Sequence, residues 1–427
     1  MKAPSTAELH ARYSVPNYGR FPVSFVRGEG ARLWDEDGKE YLDFGAGIAV
    51  DTLGHAHPVM VEALAVQAQE LIHCSNLYQI RPQAELAREL TETVMGNPGK
   101  CLFCNSGAEA NEALIKLARK FGHRHPQADG TPRTEILTFS GSFHGRTMAG
   151  ISATAQQKVK DEFGPLLPGF THLPTNDVVA LEAAVGPETV AILIEPIQGE
   201  GGIHVARGEF LCAAAELAKK HDLLLLFDEV QCGIGRAGEL CGWHAIDGAS
   251  GIVPDGVSWA KGMGGGFPIG AVWIRERELG GDNGRLCCLL GPGTHGTTYG
   301  GSPLASAVAL AVLREVENAG LCENARVLGE HIRSEVAGWG LPVVREIRGH
   351  GLMIGFEIDA GKLFDSTTFA ASGKPVSVYL VAKLLDRGLL TVPAGANVVR
   401  WLPPLNITRE DAEKALATFE SVLREIS

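Results

Sequence analysis

A lysine set among glycines has the clearest potential for covalent chemistry in this chain. Lys261 follows a short apolar run and precedes Gly262, with further glycines at 264–266. A lysine forms a Schiff base with an aldehyde when its pKa is depressed, which burial and nearby cations can achieve. A phosphate-binding P-loop would need Ser or Thr directly after the lysine and a helix there, whereas Gly262 follows and Pro268 soon interrupts. The pattern therefore favours a lysine that acts as a nucleophile.

Asp228 is the acid with the most unusual setting. It follows five apolar residues at 223–227, a pattern typical of a buried strand. A carboxylate there is costly to desolvate unless a cationic partner stabilises it. The protonated nitrogen of a pyridine-type cofactor is such a partner, and its charge lets the ring accept electrons. A structural salt bridge and a magnesium site are the alternatives, and Asp228 alone does not decide among them.

Two further loops add polar groups that could hold a ligand. Residues 105–113 follow a strand and open a helix, whose free N–H groups attract phosphate, and Gly107 and Ala108 allow close approach. An ordinary serine-capped helix start explains this pattern equally well. In the next loop, Phe143 can stack on a flat ring and Arg146 can hold a carboxylate through two hydrogen bonds. Taken singly, both side chains also suit a surface loop.

Short apolar runs rich in Ile, Leu and Val must position these residues. Because they alternate with longer helical patterns, they predict strands buried on both faces and an α/β fold with a mostly parallel sheet. The predicted strands are residues 101–104, 136–139, 190–194, 223–227, 257–260 and 271–274. Ligands gather at the carboxyl ends of such strands, so the polar loops should converge there.

The chain on either side of this sheet predicts a smaller α+β region. Residues 25–44 alternate apolar and polar side chains around a turn at 35–38, which indicates a hairpin. Beyond residue 303 come a long helical stretch, a strand pattern at 351–358 and a last helix from Arg409.

These patterns predict a two-domain organisation. We expect residues 1–75 and 315–427 to build the smaller domain and residues 76–314 to form the large cofactor-binding domain. The polar segment 359–375 lacks clear periodicity, so we predict an exposed loop or insertion there.

Composition and charge exclude several functional classes. Thirty-eight basic against fifty acidic residues give a net charge of -12, the wrong sign for a generic binder of nucleic acid or anionic membranes. No run approaches the roughly 20 apolar residues that span a bilayer. The first residues lack the apolar core of a secretory signal. Nine cysteines, scattered through apolar runs, predict reduced thiols and a cytoplasmic location.

Two patterns superficially suggest metal sites. Cys101 and Cys104 have a metal-type spacing, but they alternate within an apolar stretch and no second pair follows, so we predict buried strand cysteines. His55 and His57 lack a carboxylate or cysteine at matching spacing, and a turn before a helix explains them better. We therefore predict no metal site.

In order and spacing, these blocks together resemble the class III aminotransferases, the pyridoxal-phosphate enzymes of fold type I. The resemblance covers nearly the whole chain. Within that class, residues 18–23, 71–78, 105–112 and 195–202 are most similar to the motifs of the acetylornithine aminotransferase group. The resemblance implies the cofactor pyridoxal phosphate and a large domain with a mostly parallel sheet beside a smaller α+β domain.

The resemblance also implies roles for individual residues around the cofactor. It assigns the Schiff base to Lys261 and the pyridine nitrogen to Asp228, both catalytic. It places Gln231 near the ring hydroxyl, Phe143 on the ring and Thr298 at the phosphate of a neighbouring subunit's cofactor, which implies a homodimer with shared active sites. The implied cofactor-binding residues are Gly107, Ala108, Phe143, Asp228, Glu229, Val230, Gln231, Lys261 and Thr298.

The substrate residues follow from the same resemblance. Arg146 and Arg400 match positions that bind substrate carboxylates, Glu200 matches the partner of Arg400, and Thr297 would lie by the substrate. We expect transfer of the terminal amine of N-acetylornithine to 2-oxoglutarate, as in arginine biosynthesis. Alternatives are aminotransferases for ornithine, 4-aminobutyrate, succinylornithine or succinyl-diaminopimelate, an aminomutase of the same fold that needs no 2-oxoglutarate, and a non-catalytic scaffold.

Overall fold

Strands and helices alternate along residues 4–280, 284–363 and 366–426, which the computed structural model describes. The strands are β1 (Phe25–Glu29), β2 (Arg32–Asp35), β3 (Glu40–Asp43), β4 (Gly99–Cys104), β5 (Glu135–Phe139), β6 (Phe170–Leu173), β7 (Thr189–Ile194), β8 (Ile197–Gln198), β9 (His204–Val205), β10 (Leu224–Asp228), β11 (Gly256–Trp259), β12 (Gly270–Arg275), β13 (Val344–His350), β14 (Met353–Ile358), β15 (Leu389–Leu390), β16 (Val392–Ala394) and β17 (Val398–Trp401). The α-helices are α1 (Thr6–Tyr13), α2 (Ala46–Ala49), α3 (Pro58–Glu70), α4 (Arg81–Glu89), α5 (Gly107–Arg124), α6 (Met148–Ala153), α7 (Val178–Ala184), α8 (Gly208–Lys220), α9 (Pro303–Asn318), α10 (Leu321–Gly338), α11 (Ser366–Ser372), α12 (Val376–Asp386) and α13 (Arg409–Ile426).

A seven-stranded sheet carries the loops of interest. Its order is β4-β12-β11-β10-β7-β5-β6, and all its strands run parallel except β12, which lies antiparallel between β4 and β11. The mostly parallel sheet is confirmed, and each of the six predicted strands is present to within two residues at either end. The seventh strand, β6, was not predicted from the sequence, because Thr171 and His172 interrupt its apolar residues.

Helices cover both faces of this sheet because its strands are apolar on both sides. Leu224 and Leu226 of β10 enter one core with α5, whereas Leu225 and Phe227 enter another with α8. Alternate side chains of a strand point to opposite faces, so a continuous apolar run is buried throughout. Asp228 is thereby left at the end of a fully buried strand.

The N-terminal strands and the C-terminal chain join in a second region. β1, β2 and β3 form an antiparallel sheet whose last neighbour is β15, where Leu42 pairs with Leu389. The hairpin at 35–38 is confirmed by the pairing of β2 with β3, and β1 adds a strand on the other side of β2. β13, β14, β17 and β16 form a separate sheet that carries Arg400.

One long helix belongs to two hydrophobic cores. Ala305 and Leu313 of α9 pack in the core of the seven-stranded sheet, whereas Val308 and Val316 pack with the C-terminal helices. The predicted boundary at residue 314 falls inside this helix. The division into 1–75, 76–314 and 315–427 stays a prediction.

The predicted loop at 359–375 is wrong in part. Residues Ala360–Lys362 form a 3-10 turn and α11 follows, while residues 364–365 lie outside the described chain. Leu363 is buried, and the ring of Phe369 packs 5.3 Å from that of Tyr379. A seven-residue helix anchored by an aromatic contact is too short to show a helical repeat in the sequence.

The cysteine and histidine patterns have structural explanations. Cys104 is buried and Cys101 half-buried on β4, as predicted. His57 directly precedes α3, which confirms the turn before a helix. His55 instead hydrogen bonds Asp43 at 2.8 Å, and Asp51 lies near both, an acidic grouping that the spacing had not suggested. Asp43 also accepts the backbone N–H groups of two further residues, so this grouping closes the turn before α2.

Among the described residues, no helix is both long and apolar enough to cross a bilayer.

Candidate active site

A cavity of about 430 Å³ opens at the carboxyl ends of β4, β10 and β11, a size typical of small-molecule sites. Nine of the residues singled out in the sequence line it: Gly107, Ala108, Phe143, Arg146, Glu200, Asp228, Val230, Gln231 and Lys261. They come from five loops far apart in the chain. The parallel sheet brings them together because it delivers the end of each strand to the same edge.

Lys261 enters this cavity from a strained turn. It directly follows β11 and Ala260, and its φ of 39° lies in the left-handed region that non-glycine residues rarely occupy. The hydroxyl of Thr52 donates to the carbonyl of Gly262 at 2.8 Å and holds the turn in place. Burial lowers the pKa of Lys261 to about 8, with Glu200 opposing the shift and Arg400 adding to it. The reactive, neutral amine is therefore far more accessible than in an ordinary lysine.

Asp228 is held by three hydrogen bonds and is only 4% exposed. Oδ2 accepts the amide of Asn111 at 2.7 Å and His144 Nδ1 at 2.8 Å, and Oδ1 accepts the backbone N–H of Val230 at 3.0 Å. These donors fix the carboxylate so that it faces the cavity as a negative charge. Neither Asn111 nor His144 was assigned a role from the sequence.

The residues behind Asp228 form a continuous buried network. Ser258 on β11 donates to Asn111 Oδ1 at 2.7 Å, which orients the Asn111 amide toward Asp228. Burial disfavours the charged form of His144, but the hydrogen bond to Asp228 outweighs it and raises the pKa of His144. The sequence contained one indication of this network: Asn111 is a polar residue on the otherwise apolar, buried face of α5, and a buried amide needs a hydrogen-bond partner.

The start of α5 forms one end of the cavity. Ser106 caps the helix by accepting the N–H of Glu109 at 3.3 Å, so the predicted N-cap is confirmed. A Cβ on Gly107 would lie 2.6 Å from Val230 Cγ1, and one on Gly145 would lie 2.8 Å from the Ala108 Cβ. The glycines thus let three loops pack tightly around the helix N-terminus, whose free N–H groups and dipole favour an anion.

Phe143 and Arg146 lie on the loop after β5. The Arg146 guanidinium carbon is 5.5 Å from the centre of the Phe143 ring, and both side chains line the cavity. The Phe143 N–H donates to Glu195 at 2.7 Å. Burial raises the pKa of Glu195 to about 7, so this third acid of the cavity, to which the sequence gave no role, is readily protonated.

A buried ion pair adjoins the cavity through Glu200, which lines it. Arg400 on β17 donates through Nη1 to Glu200 Oε1 at 2.8 Å and to Gln231 Oε1 at 2.7 Å. Gln231 in turn donates to Glu200 at 3.3 Å. Burial opposes the charge on Glu200, but Arg400 lowers the pKa of Glu200 to about 2. The predicted pairing of Glu200 with Arg400 is therefore present, and Gln231 contacts both partners, which the sequence did not suggest.

Four sequence candidates lie outside the cavity lining. Arg400 is one of them and is connected to the cavity through Glu200 and Gln231. Glu229 points away from it and accepts the N–H groups of Gly242 and Trp243. Thr297 accepts the amide of Asn105, a lining residue, at 2.9 Å. Thr298 is exposed on the same loop. Within one subunit, the structure does not bring Glu229 or Thr298 into the site.

Comparison with known proteins identifies the family. The model for aminotransferase class-III matches residues 13–423. The chain belongs to the class III aminotransferases. A class III relative from Caldanaerobacter subterraneus subsp. tengcongensis, named acetylornithine aminotransferase, is 46% identical over 417 residues, covering 97% of this chain and 98% of the relative.

Two solved aminotransferase structures superpose over nearly the full length. An N-acetylornithine aminotransferase from Stenotrophomonas maltophilia K279a has a TM-score of 0.77 and 35% identity, covering 96% of this chain and 97% of the other. An ornithine aminotransferase from Toxoplasma gondii, described with partial occupancy of PLP at its active site, has a TM-score of 0.85 and 33% identity, covering 98% and 93%.

The residues of the cavity fit the pyridoxal phosphate that class III aminotransferases imply. A buried carboxylate faces a buried amine, and a helix N-terminus lies at one end. These three groups match the pyridine nitrogen, the aldehyde and the phosphate of that cofactor. Phe143 lines the same cavity and offers an aromatic face for the ring.

Proposed function

We propose that this class III aminotransferase moves the terminal amino group of N-acetylornithine to 2-oxoglutarate, with pyridoxal phosphate as cofactor. The names of its relatives support this donor. The observation that carries the proposal is the Glu200–Arg400 pair that adjoins the lysine-containing cavity. Transfer to 2-oxoglutarate is expected as a step of arginine biosynthesis.

The ion pair suits a site that must accept two differently charged substrates in turn. Arg146 is unpaired by any acid within the described residues and can bind the carboxylate that both substrates share. The second carboxylate of 2-oxoglutarate needs another cation, and Arg400 supplies one when Glu200 moves away. With Glu200 in place, Arg400 is neutralised, and the uncharged part of N-acetylornithine can lie against it.

Bound pyridoxal phosphate supplies an electron-accepting ring that stabilises negative charge on the substrate carbon. Asp228 keeps a negative charge beside the ring nitrogen, since its three donors hold it as a carboxylate. Lys261, with its lowered pKa, can take the proton from the substrate carbon and return it one bond away. Gly107, Ala108 and the start of α5 would hold the phosphate.

We include a homodimer in this proposal. Thr298 is exposed and lies one residue from Thr297, which is tied to the cavity through Asn105. A second copy could therefore bring its Thr298 to the phosphate end of the site. The nine free cysteines support a cytoplasmic location.

Substrate competition tests the proposed donor. We expect the highest kcat/KM for N-acetylornithine among equal concentrations of N-acetylornithine, ornithine, succinylornithine and 4-aminobutyrate, each with 2-oxoglutarate. Higher kcat/KM for ornithine would favour the second candidate, which the structural likeness to an ornithine aminotransferase supports. Activity without any 2-oxoacid would point to an aminomutase.

A further inference from the structure

Two adjacent cysteines outside the active site contact each other and a lysine. Cys287 and Cys288 close a 3-10 turn after β12, and their sulfur atoms are 3.9 Å apart. Lys100, on β4, donates through Nζ to the Cys288 sulfur at 3.2 Å. All nine cysteines lie in the described ranges, and among them Cys288 alone is exposed. The proposed transamination uses none of these three residues.

The two thiols differ in a way that suits a reaction between them. The ammonium of Lys100 lies against the Cys288 sulfur and not against Cys287, and a lysine beside a cysteine is the setting in which reactive cysteines are found. Its hydrogen bond to Cys288 raises the pKa of Lys100, so the cation persists. Burial, together with the charge of Cys288, raises the pKa of Cys287 to about 11, so Cys287 stays a thiol. The nearby acid Glu276 is paired with Arg285, which limits its repulsion of a thiolate.

We propose that Cys287 and Cys288 form a reversible oxidation site for hydroperoxides, in which Cys288 attacks and Cys287 resolves. The Cys288 thiolate forms a bond to one peroxide oxygen, the O–O bond breaks, and the leaving alkoxide or hydroxide takes up a proton. Cys287 then loses its proton and attacks the Cys288 sulfur. The S–S bond forms, hydroxide leaves as water, and two thiols have been oxidised as one peroxide is reduced.

The resulting bridge should be easily reduced. Adjacent residues hold their Cα atoms about 3.8 Å apart across a trans peptide, closer than the span of ordinary disulfides. A bridge forced into that spacing has an oxidising potential, as labile and regulatory disulfides do. The modification is therefore reversible by a mild thiol reductant.

The sequence makes the product simple to detect. Trypsin releases residues 286–314 as one peptide whose only cysteines are Cys287 and Cys288. When the cofactor-loaded enzyme is treated with hydrogen peroxide, we expect this peptide to lose the mass of two hydrogens, to resist the sulfenic-acid reagent dimedone, and to recover with dithiothreitol. Faster oxidation at another cysteine, or a dimedone adduct that persists in the unaltered protein, would overturn the proposal.

Matched variants separate the roles of the two sulfurs. Cys287→Ser should leave a dimedone-reactive Cys288, whereas Cys288→Ser should leave Cys287 unlabelled; the reverse pattern contradicts the assignment. Lys100→Met should slow the first step several-fold and Lys100→Arg should restore most of the rate. Equal rates in the two Lys100 variants would exclude a role for the cation. Cys212→Ser is the control and should react as the unaltered protein does, with melting temperature confirming that each variant is folded.

Discussion

Two carboxylates that line the active-site cavity, Asp228 and Glu200, are held differently. Asp228 is 4% exposed and receives three hydrogen bonds, from Asn111 on α5, from His144 on the loop after β5 and from Val230 on the loop after β10. The Glu200 side chain is 28% exposed, and both of its side-chain hydrogen bonds, from Arg400 and Gln231, reach the same oxygen, Oε1. Asp228 is held through both carboxylate oxygens and Glu200 through only one, so we expect Glu200 to be the more movable of the two. A fixed charge suits a cofactor that stays, whereas a movable charge suits substrates that alternate.

The largest loss of turnover should follow from replacing the nucleophile Lys261, which lines the cavity together with Asp228. Lys261→Ala removes the amine that attacks the cofactor and carries the proton, so turnover should fall by several orders of magnitude. The fold should persist because no core volume is lost. Turnover of N-acetylornithine with 2-oxoglutarate and the melting temperature measure the two effects. The exposed Lys158→Ala is the control, and substantial residual transamination in Lys261→Ala would refute the assignment.

A slightly smaller loss is expected from Asp228→Asn. The change preserves size but removes the charge that pairs with the ring nitrogen, and breaking a buried pair costs about 3–5 kcal/mol. Cofactor affinity should therefore fall by about 100-fold or more. Equilibrium dialysis of pyridoxal phosphate measures it, with the exposed Asp129→Asn as control. Unchanged affinity together with normal turnover would rule out the pyridine contact.

The sequence pointed to Lys261 and Asp228 but not to the residues that hydrogen bond behind Asp228. Lys261 and Asp228 follow apolar strands, and such strands are readable because both faces are buried. Asn111, His144 and Ser258 belong to other segments, and only the assembled sheet shows that they meet at Asp228. The family resemblance implied the pairing of Glu200 with Arg400, which lie 200 residues apart, but did not reveal that Gln231 contacts both. Short elements such as α11 lack a repeat long enough to detect.

In the Glu200–Arg400 pair, Arg400→Met should weaken the binding of 2-oxoglutarate more than that of N-acetylornithine. The second carboxylate of 2-oxoglutarate loses its cation, and a hydrogen-bonded charge contact of this kind is worth at least about 2 kcal/mol. We expect KM for 2-oxoglutarate to rise at least about tenfold, with a smaller change for N-acetylornithine. Steady-state kinetics with each substrate varied measure the split. Because Arg400 is fully buried, the melting temperature must show a folded variant; equal changes for both substrates would contradict a role in acceptor choice.

A smaller effect is expected on the pH dependence of cofactor binding, because Glu200 influences the pKa of Lys261. The neutral form of Lys261 attacks pyridoxal phosphate, and burial lowers its pKa to about 8, so the neutral fraction and the rate of cofactor uptake should rise with pH with a midpoint near 8. Glu200 opposes that lowering, so Glu200→Gln should move the midpoint to lower pH. Stopped-flow recombination of the cofactor-free enzyme across pH measures this. A midpoint near the ordinary lysine value of 10.5 would contradict the burial of the amine.

The central claim is that Asp228 stays in place while Glu200 moves between substrates. The most direct test is to measure the two half-reactions separately in Glu200→Gln. With the cofactor bound, single-turnover mixing with N-acetylornithine and then with 2-oxoglutarate gives one rate and one apparent affinity for each substrate. We predict weaker binding or slower reaction of N-acetylornithine, because Arg400 is no longer neutralised, and unchanged or tighter binding of 2-oxoglutarate. Equal effects on both half-reactions would contradict the movable pair.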